Sequence, residues 1–202
     1  MSIPSREDSN IINVGIVGRL APIKNHYLFL DAVSKVIKEK SELKARFKII
    51  GDGELRQGLE EYSKKLNLET YVESVGWQRD LVRVYSELDI VCLTSLNEGT
   101  PVSLIEAMAS GRAVVATNVG GVGDLLGEAG ETKDNFVVRE RGVTAKSKDL
   151  DGFAEALIFV LENKNIRQDM EKAAKGYVEE RFDKGRLIKD TEELYLKVLK
   201  IG

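Results

Sequence analysis

Four charged residues sit where side-chain type and spacing together suggest a ligand. Glu98 and Glu106 flank a Gly-Thr-Pro turn in NEGTPVSLIEAMASG, residues 97–111. Arg19 and Lys24 lie close together in GRLAPIKNH, residues 18–26. Two cations beside a helix start form an anion site, because charge-assisted hydrogen bonds and the positive end of the helix reinforce each other. Gly18, directly before Arg19, lets a ligand approach the backbone closely. Carboxylates have the opposite preference: they repel phosphate and accept hydrogen bonds from hydroxyls. Both pairs also have plain structural readings. The cations could be solvated surface charges, Glu98 a favourable charge ahead of a helix, and Glu106 a surface glutamate.

The turn between the glutamates links the two sets. Thr100 is suited to cap the following helix and Pro101 to take its first helical position, with Ser110-Gly111 as the stop. The amides of Val102 and Ser103 then emerge from the helix start as further anion donors. An anion held between these amides and the two cations would have a carboxylate on each side. The pattern suits a diphosphate with a sugar at each end, a ribose at Glu106 and a transferable sugar at Glu98.

The elements that must position these groups are legible as an alternation. Short runs rich in Val and Ile (NIINVGIVG, ARFKIIGDG, YVESVG, DIVCLTS, RAVVATN) read as buried strands. Amphipathic helices separate them, as in YLFLDAVSKVIKEK with Leu30, Val33, Val36 and Ile37 on one face. A shorter strand is expected around FVVRERGVTA, and the last third reads as helices. Such alternation predicts an α/β fold, a doubly wound parallel sheet of about six strands with helices on both faces and extra C-terminal helices. Ligands bind such sheets at the carboxyl ends of the strands, where all four charged residues are expected. The GDGE after the second strand reads as a tight turn, since it lacks the third glycine of a dinucleotide fingerprint. Trp77 after the third strand could stack on a base or cover the sheet edge. Residues 1–10 read as a polar mobile arm or linker and 11–202 as a single domain.

Composition narrows the classes. The net charge of −3 argues against nucleic acid as a partner. One cysteine, Cys92, permits no intrachain disulfide and reads as a small core residue; one histidine, His26, excludes a multi-histidine metal site. No run is long enough for a membrane span, and the N-terminus has no apolar segment, so a cytoplasmic location is expected.

With these residues in view, the chain resembles the C-terminal, donor-binding domain of retaining GT-B glycosyltransferases, the "group 1" family (family 4). The resemblance rests on VGRLAPIKNH, on the double-glutamate block running into RAVVAT, on VGGVGDLL, and on the closing VEERFDKGRLIKDTEELYLKVL. It covers roughly residues 12–199 and implies a Rossmann-like fold. It also implies transfer of a hexosyl unit from a nucleoside diphosphate sugar, such as a UDP- or GDP-sugar, to a glycan or glycolipid, with retention and without a metal or other cofactor. By matching position, Arg19 and Lys24 would hold the pyrophosphate and, with Glu98 at the donor sugar, form the catalytic set. The amides from Thr100 through Pro101 and Val102 to Ser103 would orient sugar and diphosphate, with Gly18 beneath. Glu106 would take the ribose, and the base would lie near Gly76 and Trp77, with Arg79 as a neighbour. Asn25 stands where many members have glycine, and Gly123-Asp124 where Pro-Glu is common.

The resemblance also implies a missing half. The acceptor site of such enzymes lies mostly in an N-terminal domain, so this chain is expected to be inactive in transfer alone. The full enzyme would serve polysaccharide or glycolipid assembly, a role compatible with peripheral attachment at the inner face of the cytoplasmic membrane. Two alternatives remain at this level: a related nucleotide-sugar epimerase domain, and a non-catalytic Rossmann-like interaction module. The epimerase would need an acid-base set that this sequence does not display, and a receiver-type module would need acidic residues where VGRLA has Arg19.

Overall fold

A computed structural model of the chain describes residues 11–199. The arm expected over residues 1–10 lies outside the described residues. Six strands run parallel: β1 (Ile12–Val17), β2 (Ala45–Ile50), β3 (Val72–Gly76), β4 (Ile90–Leu93), β5 (Ala113–Thr117) and β8 (Gly142–Ala145). Two more, β6 (Ala129–Thr132) and β7 (Phe136–Arg139), extend the sheet antiparallel, giving the order β3-β2-β1-β4-β5-β8-β7-β6. The expected count of about six therefore holds for the parallel part and falls short for the whole sheet. The single strand expected around FVVRERGVTA is a hairpin, β7 and β8, joined by Glu140-Arg141. Its turn lacks the Asn-Gly or Asp-Gly signature of a two-residue hairpin. β6 is exposed along its whole length, so no apolar pattern marks it.

Period-2 alternation divides the core. Val14, Ile16, Ile90, Cys92 and Val115 face one layer, built from α1 (His26–Glu39), α2 (Arg56–Lys65) and α6 (Leu150–Glu162) through Phe29, Leu59, Phe153 and Leu157. Val17, Val91, Leu93 and Val114 face the other layer. There α3 (Leu81–Ser86), α4 (Val102–Ala109), α5 (Val122–Leu126) and α7 (Lys164–Arg181) contribute Tyr85, Leu104, Met108, Leu126 and Val178. Gly15 is fixed by packing: a Cβ there would stand 2.5 Å from a Leu88 methyl. Cys92 is a core residue as expected, and burial pushes its thiol pKa up, away from reactivity.

The last helix, α8 (Lys184–Leu199), buries none of its residues. Leu187, Ile188, Leu194, Tyr195, Val198 and Leu199 repeat at helical spacing and are all exposed.

Candidate donor-binding cleft

The strand order reverses direction between β1 and β4, and this is where an open α/β sheet leaves a crevice beyond its strand ends. A cleft of about 580 Å³ lies there. It gathers nine of the sequence-predicted residues: Gly18, Arg19, Lys24, Trp77, Glu98, Thr100, Val102, Ser103 and Glu106. Gly76, Arg79 and Pro101 are not in its lining. Gly76 ends β3 in a left-handed conformation and its carbonyl accepts the Gly51 amide at 3.0 Å. Arg79 is exposed one residue before Asp80, which caps α3 through its carboxylate.

The Lys24 loop is anchored from the far side of the switch point. A 3₁₀ turn, Pro22–Lys24, follows β1. The Thr94 hydroxyl lies 2.9 Å from the carbonyl of Lys24 and 3.0 Å from that of Asn25, and the Leu96 amide donates to Ile23 at 2.8 Å. Asn25 is left-handed at φ 49°, a conformation asparagine tolerates better than other non-glycine residues. That accounts for its standing where glycine is common.

Glu98 is held from three directions. Lys24 Nζ and Ser95 Oγ both donate to its Oε1 at 2.6 Å. Behind it, Gly120 packs so tightly that a Cβ would stand 1.7 Å from the Glu98 carbonyl, and the Gly121 amide donates to Gly99 at 3.1 Å. Lys24 and Glu98, read separately in the sequence, are thus bonded to each other. Arg19 differs: it is exposed in the cleft, and its guanidinium meets no acceptor among the described residues.

The start of α4 corrects one expectation. Pro101 is the N-cap, with no side-chain cap bond, and the first helical residue is Val102. Thr100 therefore does not cap the helix, and Pro101 does not occupy its first helical position. The Pro101 ring already fixes φ at −75°, and ψ of 99° keeps the residue extended, so the helix starts one residue later. The Pro101 carbonyl accepts from Leu104 and Ile105, while the amides of Val102 and Ser103 find no acceptor among the described residues. At the other end the expected stop holds. Gly111 is left-handed at φ 66°, and the bonds Gly111 to Met108 and Arg112 to Ala107 complete a Schellman motif.

Glu106, one turn further along α4, accepts the Tyr85 hydroxyl on Oε2 at 2.9 Å. Trp77 is 68% exposed at the cleft mouth, so it does not serve as a buried cover for the sheet edge.

This arrangement carries a family. The chain matches the family Glycosyl transferases group 1 over residues 12–163, well over half its length. The chain belongs to the group 1 glycosyltransferases. A UDP-Gal:alpha-D-GlcNAc-diphosphoundecaprenol alpha-1,3-galactosyltransferase of Escherichia coli is 28% identical over 185 residues, 91% of this chain and 45% of that protein. An alpha-1,4-N-acetyl-D-galactosaminyltransferase of Campylobacter jejuni is 31% identical over 160 residues, 79% of this chain and 41% of its own length. The chain therefore spans less than half the length of these relatives.

Solved structures share the fold. HepE from Anabaena, in complex with UDP, superimposes with a TM-score of 0.80 at 21% identity, covering 93% of this chain and 49% of that one. The C-terminal domain of the group 1 family protein LpcC from Francisella tularensis gives 0.69 at 22% identity, covering 86% and 87%.

Within this group 1 fold, sequence reasoning missed Asp52, Gln78 and Leu81, which also line the cleft. The signal for the first was GDGE, read only as a turn. It is a turn, since a Cβ on Gly51 would stand 1.9 Å from the Gly18 carbonyl, but it also brings Gly51 and Asp52 to the cleft wall. Gly123 and Asp124 stand at the start of α5 and outside the cleft lining. Among the described residues no group of three or more His, Cys, Asp or Glu is placed to hold a metal ion, and no helix is long and apolar enough to cross a membrane.

Proposed function

We propose that this chain is the donor-binding domain, over residues 11–202, of a retaining glycosyltransferase that moves a hexosyl unit from a nucleoside diphosphate sugar to a glycan or glycolipid. One observation carries the reading: Arg19, Lys24, the free α4 amides, Glu98 and Glu106 converge on one cleft at the switch point. Arg19, Lys24 and the α4 amides take the diphosphate and stabilise the charge that develops on it as the glycosyl bond breaks. Glu98 accepts hydroxyls of the transferred sugar, positioned by Ser95, and Glu106 accepts the ribose hydroxyls. The base lies over Trp77, near Gly76 and Arg79. The Escherichia coli relative is named for a UDP-Gal donor and HepE was solved with UDP, which makes UDP the first nucleotide to try.

The acceptor side belongs to an N-terminal domain, and the exposed apolar stripe of α8 supplies a surface for such a partner. The isolated chain binds donor weakly and transfers little, because the cleft stays open to water on the acceptor side. The enzyme works in the cytoplasm, at the inner face of the membrane.

The test is titration calorimetry with UDP, GDP and ADP. Binding of one of them is expected, and Arg19→Ala should weaken it about tenfold or more, the loss of a charge-assisted hydrogen bond worth roughly 1.5–3 kcal/mol. Absence of binding at millimolar nucleotide overturns the reading, and an unchanged affinity in Arg19→Ala removes Arg19 from it.

A further inference from the structure

Tyr85 lies outside the cleft lining, on α3, and belongs to the core by burial: only 1% of it is exposed. Its ring packs in the same cluster as Leu104 and Met108 of α4. Its hydroxyl does something a core phenylalanine could not. It lies 2.9 Å from Glu106 Oε2 and 3.1 Å from the Ser103 carbonyl, one group from each of the first two turns of α4. A buried phenol needs an acceptor. Here that acceptor is the carboxylate that faces the cleft.

We infer that Tyr85 is a positioning residue for nucleotide recognition: its hydroxyl fixes the Glu106 carboxylate so that the remaining acceptor sites point at the ribose diol. This rests on the donor reading above and goes beyond it, by placing the ribose specificity partly in a residue that never touches the ligand. A glutamate on a helix surface otherwise samples many rotamers, and only some present an oxygen to the cleft. The hydroxyl carries one proton, and the charged oxygen is the stronger acceptor of the two within reach. Once Oε2 has received it, Oε1 is free for two ribose hydroxyls. Burial, and then the negative charge of Glu106, push the phenol pKa up, so Tyr85 stays a donor throughout the physiological range.

The experiment compares UDP with 2′-deoxy-UDP on the wild-type chain and on Tyr85→Phe, by calorimetry, with thermal melting alongside. If UDP is not bound but GDP is, GDP and 2′-deoxy-GDP are used. The wild type should prefer the ribonucleotide about tenfold, as expected for a hydrogen bond to a charged group. Tyr85→Phe should weaken UDP more than its 2′-deoxy form, which keeps one hydroxyl for Glu106, and so cut the preference at least about threefold. A purely structural role would weaken both ligands alike, so equal losses or an unchanged ratio overturn the inference.

A second readout needs no substitution of Tyr85, and so stands even if that variant fails to fold. The Tyr85 Cζ resonance, assigned by phenylalanine replacement of the other tyrosines, should shift on saturation with UDP and much less with the 2′-deoxy form. Equal shifts overturn the inference. Binding without ribose preference in the wild type overturns it, removes the ribose role of Glu106 and leaves the diphosphate part of the donor reading standing, whereas no nucleotide binding at all removes both.

Discussion

His26 opens α1 fully buried, and among the described residues neither ring nitrogen has a hydrogen-bond partner. Burial, and then the neighbouring charge of Lys24, lower its pKa to about 4. The unfolded imidazole titrates near 6.5. Between these values the unfolded chain takes up a proton that the folded chain refuses, so this contribution is complete above about pH 6.5 and is lost as pH falls toward 4. Unfolding by urea should therefore show stability dropping by about 2 kcal/mol between pH 7 and pH 5. His26→Leu should flatten that profile; because His26 is the only histidine, a persisting slope would mean that another group is responsible. At this scale the sequence reveals the charged set. Arg19, Lys24, Glu98 and Glu106 can be picked out because two cations after a strand and two carboxylates around a helix start occur together, although each alone has an ordinary structural use. Who bonds to whom cannot be read there. Lys24 meets Glu98 across 74 positions and Tyr85 meets Glu106 across 21, distances that only the folded sheet brings within reach.

At the level of elements, α4 is held at one end by backbone geometry and left open at the other. Because Thr100 makes no cap bond, Thr100→Ala should change stability by less than about 0.5 kcal/mol, whereas loss of a true threonine cap costs about 1 kcal/mol. A chemical denaturation curve for that one variant decides between them. The open end is consistent with donors kept for a ligand, since a side-chain cap would consume one of the amides facing the cleft. The first five parallel strands and their helices were legible because each strand is a short run with Val or Ile, although β3 lies at the sheet edge with Glu73 and Ser74 exposed. β6 and the β7–β8 hairpin were not. β6 lies exposed at the sheet edge, so no hydrophobic pattern reports it, and β7 and β8 merge into one apparent strand because Glu140-Arg141 carries no turn signature. The same loss of pattern hides the start of α4, because a proline is compatible with both the N-cap and the position after it.

For the molecule as a whole, the described residues divide into a packed α/β body and one helix with no bed to lie on. Ending the chain at Phe182 should leave the melting temperature within about 2 °C of the full chain while removing helical circular dichroism, because α8 buries no side chain. A fall of more than about 5 °C would show that α8 is packed on this body after all. Leu187 and Tyr195, 65% and 66% exposed, mark the stripe that a partner surface would cover. The sequence shows the last third only as helical. Only the fold shows that the apolar side of α8 is left facing outward. On the proposed donor reading, the Lys24–Glu98 pair would bear on the whole catalytic cycle. Glu98 serves as an internal counter-ion for Lys24. On that reading, a nucleoside diphosphate leaving after transfer would compete with that carboxylate for the same ammonium, so the protein would carry its own displacer of product. Glu98→Gln, which removes the competing charge, should hold UDP several-fold more tightly than wild type and release it more slowly in stopped-flow; weaker binding would mean that Glu98 helps retain the nucleotide. In a working enzyme the acid that meets the incoming sugar would thus also help clear the site for the next turnover.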